Sequence, residues 1–416
     1  MTGASSAAWS PARALMNAFR TLPVALLGAA LLLVACGPRH AQVARGGAAT
    51  APTATVAPSP SATPSPTVDA STPTAAPATP TPTPVPTPRP PTAPPAPPPF
   101  TVFPLPNTSR PGYTMAPAAL TAGADGNLWW VDANSDAVGR TTPRGVTTVF
   151  RIPGGTQPRP ELVAAPDGTL WGADFNNMLL HITVAGAVTE VDPGAPMGGN
   201  GPYHLAVEPD GTLWFVGGYP LALFHRDLAG TTTTLALSGA YPVSLTWGPD
   251  HALWFGETVS GGEGVARLDP ATDAVSHYAV PGPPDFVGPL VAGPDGNLWF
   301  GENTRAKVGR ITPQGVIAEF AVPSYGGQQL AVGSSLVLGH DGALWAAAAI
   351  GGHSSIELVR FTLAGAAQVV TVTGVGGAEA YVYNLAEGPD GHLWTLWGNG
   401  YQASTGVSAL VRDNRA

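Results

Sequence analysis

Apolar and polar positions repeat along residues 100–412 in units of four short segments. An apolar segment ends in a turn such as LVAGPDG (290–296), and a Leu-Trp pair follows in NLWFGE (297–302). A third segment ends in a basic residue, as in KVGR (307–310), and a fourth reads VIAEFAVP (316–323). The tryptophans of the repeated pair are Trp129, Trp171, Trp214, Trp254, Trp299, Trp345 and Trp394, spaced by 42, 43, 40, 45, 46 and 49 residues. Four short strands per unit of this length are typical of a propeller blade.

The local chemistry of each unit favours β-structure. Asp-Gly between two apolar runs predicts a hairpin, because glycine adopts positive φ without a steric cost. Leu and Trp are adjacent, so on a strand they point to opposite faces, and both are buried only when the sheet has a neighbour on each side. Radially stacked blades provide those neighbours. We therefore predict an all-β domain, a seven-bladed propeller of four-stranded blades.

The two ends of the repeat region predict how the ring closes. TVFPLP (101–106) is similar to TVFRIP (148–153), so a fourth-strand sequence precedes the first full unit. After Trp394, a third strand is expected at VSALVR (407–412), and no fourth strand follows it. We expect the N-terminal strand to complete the last blade, because pairing there removes two exposed sheet edges.

The first 35 residues have the pattern of a secretory signal. Arg13 and Arg20 precede the apolar run 22–35, which is too short for an ordinary membrane span. The run ends in LVAC (33–36), which resembles the lipobox of bacterial lipoproteins, and Cys36 is the only cysteine of the chain. The resemblance implies a signal peptide at 1–35 and a lipidated Cys36. An uncleaved anchor or a buried free cysteine is the alternative.

Residues 36–99 are predicted to form a disordered tether. Prolines and threonines dominate this segment and large apolar residues are almost absent, so it cannot bury a core. In polyproline II, at about 3.1 Å per residue, it spans on the order of 190 Å. The propeller is assigned to 100–416, outside the cytoplasm, on a membrane-anchored lipoprotein at the cell surface or in the periplasm.

The charge balance excludes some classes of partner. The first 99 residues hold five of the 18 basic and one of the 27 acidic residues, which leaves 13 basic and 26 acidic residues in the propeller. An acidic domain repels phosphate backbones and anionic head groups, so we predict no nucleic-acid partner. The membrane contact is assigned to Cys36, and we expect a monomer with a small-molecule or protein ligand on one face.

The repeats resemble those of the virginiamycin B lyase (streptogramin lyase) family. The residues that carry the resemblance are GPDGNLWFGE (293–302), KVGRITPQG (307–315) and IAEFAVP (317–323), with weaker copies in every unit. The resemblance implies a seven-bladed propeller. It also implies an enzyme that linearises cyclic depsipeptides by elimination across an ester, using a histidine base and Mg²⁺ held with the help of glutamate.

The positions that resemblance assigns to the catalytic histidines hold other residues here. They precede the first strands, at Ala118, Pro160, Tyr203, Val243, Gly288, Ser334 and Tyr383. The nearest histidine is His204, one place late, and a shift of one residue turns a strand side chain to the other face unless a bulge intervenes. We assume no bulge. His181 and His225 occupy the third-strand position of the repeat arginines and are interpreted as structural.

Four blades carry a carboxylate three residues after the tryptophan. Antiparallel order places the start of each first strand beside the end of each second strand, so one ligand face is expected from Tyr203, His204, Tyr383, Asp132, Asp174, Glu257 and Glu302. Carboxylates there suit a hard cation or a polar ligand. The competing interpretation is structural, with each carboxylate paired to a repeat arginine, as Glu302 to Arg310.

Two classes of function remain open from the sequence. The first is a surface-anchored binding propeller without the family's catalytic histidines. The second is a lyase-like enzyme in which His204 acts as a displaced base with carboxylate-bound Mg²⁺. A third, less favoured, is a lactonase-like propeller with a carboxylate metal site. Ligand contacts are expected where the copies differ, in the loops 193–203, 260–263, 281–288 and 374–383.

Overall fold

A computed structural model describes the propeller. The described residues are 99–416, except 112, 114, 200, 220, 238–239, 260–261, 283–286, 303–304, 350–355, 373–379, 400–407 and 415–416. The predicted signal, Cys36 and the tether lie outside the described residues. No helix in the described part of the chain is long and apolar enough to cross a membrane.

Twenty-eight strands form seven antiparallel sheets of four strands each. Blade one contains β2 (Pro117–Ala122), β3 (Leu128–Asp132), β4 (Ala137–Thr141) and β5 (Thr147–Arg151). Blade two contains β6 (Pro158–Ala164), β7 (Leu170–Asp174), β8 (Leu179–Ile182) and β9 (Val188–Val191). Blade three contains β10 (Tyr203–Val207), β11 (Leu213–Gly217), β12 (Ala222–Arg226) and β13 (Thr232–Ala236).

The remaining blades follow the same order. Blade four contains β14 (Ala240–Trp247), β15 (Leu253–Val259), β16 (Gly262–Asp269) and β17 (Ala274–Ala279). Blade five contains β18 (Val287–Ala292), β19 (Leu298–Glu302), β20 (Lys307–Ile311) and β21 (Ile317–Ala321). Blade six contains β22 (Ala331–Leu338), β23 (Leu344–Ala349), β24 (Ile356–Phe361) and β25 (Ala367–Val372). Blade seven contains β26 (Ala380–Glu387), β27 (Leu393–Asn399), β28 (Ser408–Asp413) and β1 (Phe100–Pro104).

The N-terminal strand closes the ring as predicted. β1 pairs antiparallel with β28, in a register that joins Phe100 to Asp413 and Pro104 to Ala409. The first strands of successive blades contact one another all the way round, including β26 with β2. The all-β, seven-bladed architecture inferred from the repeat is confirmed.

The core is divided among the blade junctions. The repeat tryptophan of one blade clusters with the repeat leucine of the next, as Trp299 does with Leu344 and Trp394 with Leu128. Trp299, Trp394 and both leucines are fully buried. Burying a large side chain of this kind contributes about 1.5–3 kcal/mol. The Leu-Trp pair therefore joins each blade to both of its neighbours.

Antiparallel order gives the ring two distinct faces. The turn face carries the turns between first and second strands and between third and fourth strands, such as 123–127 and 142–146. The loop face carries the connections between second and third strands and between blades. The starts of the first strands and the ends of the second strands meet at the loop face.

Candidate functional site

Every first strand contains a β-bulge near the loop face. The ladder between the first and second strands shifts register in all seven blades. The shift falls between Pro117 and Ala119 in blade one and between Pro242 and Ser244 in blade four. A bulge inserts an extra residue and redirects its side chain, and bulges are common beside binding sites.

In blade three the bulge falls at His204. Tyr203 pairs with Val216 and Ala206 pairs with Trp214, so His204 and Leu205 share one place in the ladder. His204 has a φ of +54°, in the left-handed region that a bulky residue seldom adopts. The bulge that the sequence left open is therefore present at His204. This bulge allows the His204 side chain to depart from the regular alternation of the strand.

The bulges of blades two and three bring four polar side chains together, here called the bulge cluster: Arg159, Glu161, Tyr203 and His204. His204 Nδ1 lies 3.4 Å from Glu161 Oε1. The backbone N–H of Leu205 donates to Glu161 Oε2 at 3.1 Å. The rings of Tyr203 and His204 meet edge to face at 5.0 Å. Glu161 therefore holds the His204 bulge across the junction between two blades.

Arg159 is fixed within the bulge cluster by two aromatic rings. Its guanidinium carbon lies 4.7 Å from the Phe175 ring centre and 5.9 Å from that of Tyr203. Its Nε donates to the carbonyl of Asp174 at 2.9 Å. Cation–π contacts and a bonded Nε leave the guanidinium little freedom, so the positive charge has a defined place beside Glu161.

Electrostatics favour a neutral imidazole in the bulge cluster. Burial lowers the pKa of His204, Glu161 raises it and Arg159 lowers it, with a net decrease. About a third of the side chain, 32%, is still exposed to solvent. Since an unperturbed histidine titrates near 6.5, a lowered pKa leaves the ring uncharged at neutral pH. A neutral imidazole both donates and accepts hydrogen bonds, and it can accept a proton.

The four carboxylates expected on the ligand face lie at the loop face but are buried. Asp132 accepts from the Thr108 hydroxyl at 2.8 Å and from the backbone N–H groups of Ala116 and Asn134. Asp174 accepts from the Thr156 hydroxyl at 2.9 Å and from two backbone N–H groups of the following turn. Both carboxylates therefore tie down loop backbone. Burial raises the pKa of Asp132, and its hydrogen bonds oppose the increase.

The two glutamates of this set have charged or ring partners instead. Glu257 lies 2.9 Å from His277 Nδ1. Glu302 accepts from Arg305 Nη1 at 3.2 Å. Burial, reinforced by the negative charge of Glu319, raises the pKa of Glu302 to about 7, and Arg305 and Lys307 oppose the increase. The Glu302 carboxyl is therefore close to half protonated at neutral pH.

The pairing expected between Glu302 and Arg310 is wrong. Arg310 pairs with Asp295 at 3.9 Å, on the turn face. The other repeat arginines also pair with turn aspartates, namely Arg140 with Asp125, Arg267 with Asp250, Arg360 with Asp341 and Arg412 with Asp390. Arg310 stands opposite Trp299 in the ladder, close to the turn, whereas Glu302 is at the other end of the same strand. The strand's length separates the two side chains.

The other candidate residues occupy scattered places. His181 and His225 lie opposite Trp171 and Trp214 in the ladder and contact their rings at 4.7 Å, in the position of the repeat arginines. Tyr383 lies at the bulge of β26, and its side chain falls outside the described residues. The loops 260–263, 281–288 and 374–383 are described only in part.

The described side chains do not fit a magnesium site. No group of three or more His, Cys, Asp or Glu side chains that could hold a metal occurs among the described residues. Asp132 and Asp174 already accept several hydrogen bonds, and the partly buried pair Glu161 and His204 has the Arg159 cation beside it. A cation beside the donors opposes the binding of a second cation.

Arg159 and Glu161 are the members of the bulge cluster that sequence reasoning missed. A comparison of all the residues at the start of each first strand, rather than of one aligned position in each blade, would have found them. Neutral residues occupy the bulges of blades one, four and five, at Ala118, at Val243 and at Gly288 with Pro289. Blade two instead has Arg-Pro-Glu, with a bulge that spans Arg159 to Glu161.

Comparison with known proteins agrees with this architecture. The sequence profile of the virginiamycin B lyase family matches residues 100–219 and 222–405. No curated protein matches the chain. A solved streptogramin B lyase shares 22% identity, with 75% of this chain and 97% of that chain covered and a TM-score of 0.59.

Two further solved structures share the fold. A catalytically inactive virginiamycin B lyase from Staphylococcus aureus with quinupristin is 22% identical, with 75% and 99% of the two chains covered and a TM-score of 0.59. The extracellular domain of a putative hybrid two-component system from B. thetaiotaomicron is 15% identical, with 74% and 42% covered and a TM-score of 0.54. At these identities the structural likeness establishes the fold alone. The family profile spans most of the residues, and the chain therefore belongs to the virginiamycin B lyase family.

Proposed function

We propose that this chain is a lipid-anchored, extracytoplasmic binding propeller that holds its ligand at the loop face without catalysis. The observation that carries the proposal is the identity of the residues at the bulges. The places that the family resemblance assigns to catalytic histidines hold Ala118, Pro160, Val243 and Gly288 in four of the blades. The carboxylates nearest to them are buried. Asp132 and Asp174 accept hydrogen bonds from loop threonines, whereas Glu257 and Glu302 are paired with His277 and Arg305.

The bulge cluster is the ligand contact in this proposal. It combines a fixed cation, a carboxylate, a neutral imidazole and a phenol at a partly exposed edge. Such a set offers donors and acceptors with little net charge, so it suits a polar small molecule or a protein segment that is uncharged or zwitterionic. A few well-placed polar groups at the mouth of a propeller are typical of ligand recognition.

The second candidate is a lyase with a displaced base, and the bulge at His204 favours it. A neutral imidazole beside Glu161 has the arrangement of a base whose protonated form is stabilised by a carboxylate. His204 would take a proton from the carbon next to the alkyl carbon that bears the ester oxygen, a C=C bond would form between these two carbons as the alkyl C–O bond breaks, and the carboxylate would leave. The magnesium chemistry that the family resemblance implies has no matching set of donors among the described residues, so no step is assigned to it.

Turnover of a streptogramin B depsipeptide separates the two candidates. We expect the purified full chain with Mg²⁺ to show no linearisation above background. A general base contributes about 10²- to 10⁴-fold, so the rate of an active enzyme would fall by that factor in His204→Ala. The matched control is His225→Ala in the same blade, which removes a ring stacked on Trp214 near the turn face.

The turnover rates of the wild type and of the two variants decide between the candidates. Turnover that disappears in His204→Ala, but survives in His225→Ala with both melting temperatures unchanged, would replace the binding proposal with the displaced-base lyase. Turnover that survives both substitutions would contradict both candidates and move the base elsewhere.

The anchor is proposed from Cys36 and the lipobox-like LVAC that contains it. The extracellular location of a similar solved domain is compatible with this placement. Expressed with its own signal, the wild-type chain should incorporate an acyl label and fractionate with membranes, and Cys36→Ser should do neither. An unlabelled wild type with an unchanged membrane fraction in Cys36→Ser would contradict the lipoprotein proposal.

A further inference from the structure

An aromatic ring on the fourth strand stacks on the repeat tryptophan in four blades. The ring centres are 5.2–5.8 Å apart in the pairs Phe103–Trp394, Phe150–Trp129, Tyr278–Trp254 and Phe320–Trp299. In blade five, Arg310 lies 5.5 Å from both ring centres, and Arg140 and Arg412 lie similarly in blades one and seven. The stacked ring is thus a repeated element of the turn face.

The next blade covers the other side of each ring. A Cβ atom added at Gly365 of blade six would lie 2.0 Å from the Phe320 ring of blade five. The same close approach joins Gly145 to Phe103, Gly186 to Phe150 and Gly315 to Tyr278. These glycines all lie in the turn between third and fourth strands. Each ring is therefore held between its own tryptophan and the neighbouring blade's turn.

Blade six lacks the ring, and the blade that follows it lacks the turn. Val370 pairs with Leu358 in the ladder, the place that Phe320 takes opposite Val308. In blade seven the third strand β28 and the fourth strand β1 come from opposite ends of the chain, so no turn joins them. At the junction between blades six and seven, therefore, the stacked aromatic ring is absent. The covering turn is absent there too, because the propeller closes between β28 and β1.

A cavity of about 390 Å³ occupies this junction, and we call it the closure cavity. Its lining includes His340, Trp345, Arg360, Val370, Leu393 and Asp413. Cavities of 300–1,000 Å³ are of the size that binds small molecules. The lining is mostly apolar and also includes the charged side chains of Asp341, Arg360 and Asp413.

Two side chains of the closure cavity are held in fixed orientations by one carboxylate. Trp345 Nε1 donates to Asp341 Oδ1 at 3.2 Å, and Arg360 Nε donates to Asp341 Oδ2 at 2.6 Å. In blades one, five and seven the arginine Nη1 also donates to a turn carbonyl of the next blade, at Val184, Leu363 and Pro143. Blade seven has no such turn beside Arg360. Arg360 lines the closure cavity with its Nε held by Asp341.

We propose that the closure cavity is a binding site for a small ligand with a six-membered aromatic ring, a phenyl or phenol group, stacked on Trp345 beside Arg360. The ring would occupy the place that Phe320 occupies in blade five. A hydroxyl or carbonyl oxygen on the ligand would accept from Arg360, replacing the missing turn carbonyl. The cavity lies at the turn face, away from the bulge cluster, and the inference is independent of the proposed function.

Phenol and cyclohexanol, which have similar size and one hydroxyl each, are suitable probes for the full chain. Saturation-transfer NMR should detect phenol binding to the wild type and at least tenfold weaker binding of cyclohexanol. Val370→Phe supplies the missing ring, so it should abolish phenol binding and raise the melting temperature. Leu235→Phe is the matched control, because Leu235 holds the equivalent place in blade three, opposite Leu223. It should leave phenol binding unchanged.

A gain of binding provides the converse test. Phe320→Val removes the ring from blade five and should create a second phenol site there. Absence of phenol binding to the wild type would overturn the proposal, including the case in which the chain's own proline-rich segment fills the cavity. Equal binding of phenol and cyclohexanol, or phenol binding that persists in folded Val370→Phe, would overturn it as well. If Val370→Phe fails to fold, Val370→Leu should still weaken phenol binding, and unchanged affinity would contradict the site.

Discussion

The turn face and the loop face use the same strands for different purposes. At the turn face one arrangement recurs, in which a turn aspartate accepts from the tryptophan Nε1 at 2.8–3.3 Å and pairs with the repeat arginine. The arginine then reaches the next blade, as Arg140 does when it donates to the Val184 carbonyl at 2.7 Å. Repetition of this arrangement indicates that its purpose is to join the blades.

At the loop face the arrangement changes between blades. The carboxylate that ends the second strand ties to a threonine in blades one and two, to a histidine in blade four and to an arginine in blade five. The bulges beside it carry neutral residues in several blades, and Arg159, Glu161 and His204 in two adjacent ones. The contrast teaches that the repeated residues maintain the ring, whereas the residues that differ between copies locate the candidate site.

The largest expected effect is the loss of a turn-face tryptophan. Trp299 is fully buried and stacks on Phe320, so Trp299→Ala should lower the free energy of unfolding by about 3–5 kcal/mol. Tyr203 at the loop face is only partly buried, so Tyr203→Ala should lower the free energy of unfolding by about 1–2 kcal/mol. Urea unfolding of both variants gives the comparison. Equal losses would show that the two faces do not differ in their share of the stability.

An intermediate effect is expected from the pH dependence contributed by Glu302. Its pKa is about 7 in the folded protein and roughly 4.3 in an unfolded chain. Between these values the folded state binds the extra proton, so the free energy of unfolding falls as the pH rises from about 4.3 to about 7 and then levels off. Glu302→Gln should flatten this decrease by about 1–3 kcal/mol, measured by urea unfolding at each pH.

A matched variant tests the cause of that shift. Glu319→Gln removes the negative charge that helps to raise the Glu302 pKa, while Arg305 and Lys307 still lower it. The decrease in stability should therefore be smaller and end at a lower pH than in the wild type. An identical pH profile in wild type and Glu302→Gln would assign the dependence to other groups.

The sequence was sufficient to predict the ring because its determinants are local and repeated. Asp-Gly fixes the turn in six blades, with Asp250-His251 in the other, and the adjacent Leu and Trp require a neighbour on both sides of the sheet. The similarity of TVFPLP (101–106) to TVFRIP (148–153) was enough to predict the β1–β28 pairing. Each of these inferences depends on residues close together in the chain.

The candidate site was less accessible because it depends on register. A bulge shifts strand alternation by one residue, and no residue type in GPYHLAV (201–207) marks its place. Glu161 and His204 are 43 positions apart and meet only across a blade junction. The buried state of Asp132 and Asp174 follows from loop contacts with Thr108 and Thr156, which no strand pattern specifies.

The smallest expected effect tests the conformation of His204 itself. In a regular strand, glycine is about 0.5–1 kcal/mol less favourable than alanine, because it loses more conformational freedom on folding. At a φ of +54° the order reverses, since alanine keeps the cost of the left-handed conformation and glycine does not. His204→Gly should therefore be more stable than His204→Ala by about 1 kcal/mol. The matched position is exposed Thr233 in β13, where Thr233→Gly should be the less stable of its pair. Melting temperatures of the four variants decide the matter, and the same order of stability at both positions would contradict the bulge at His204.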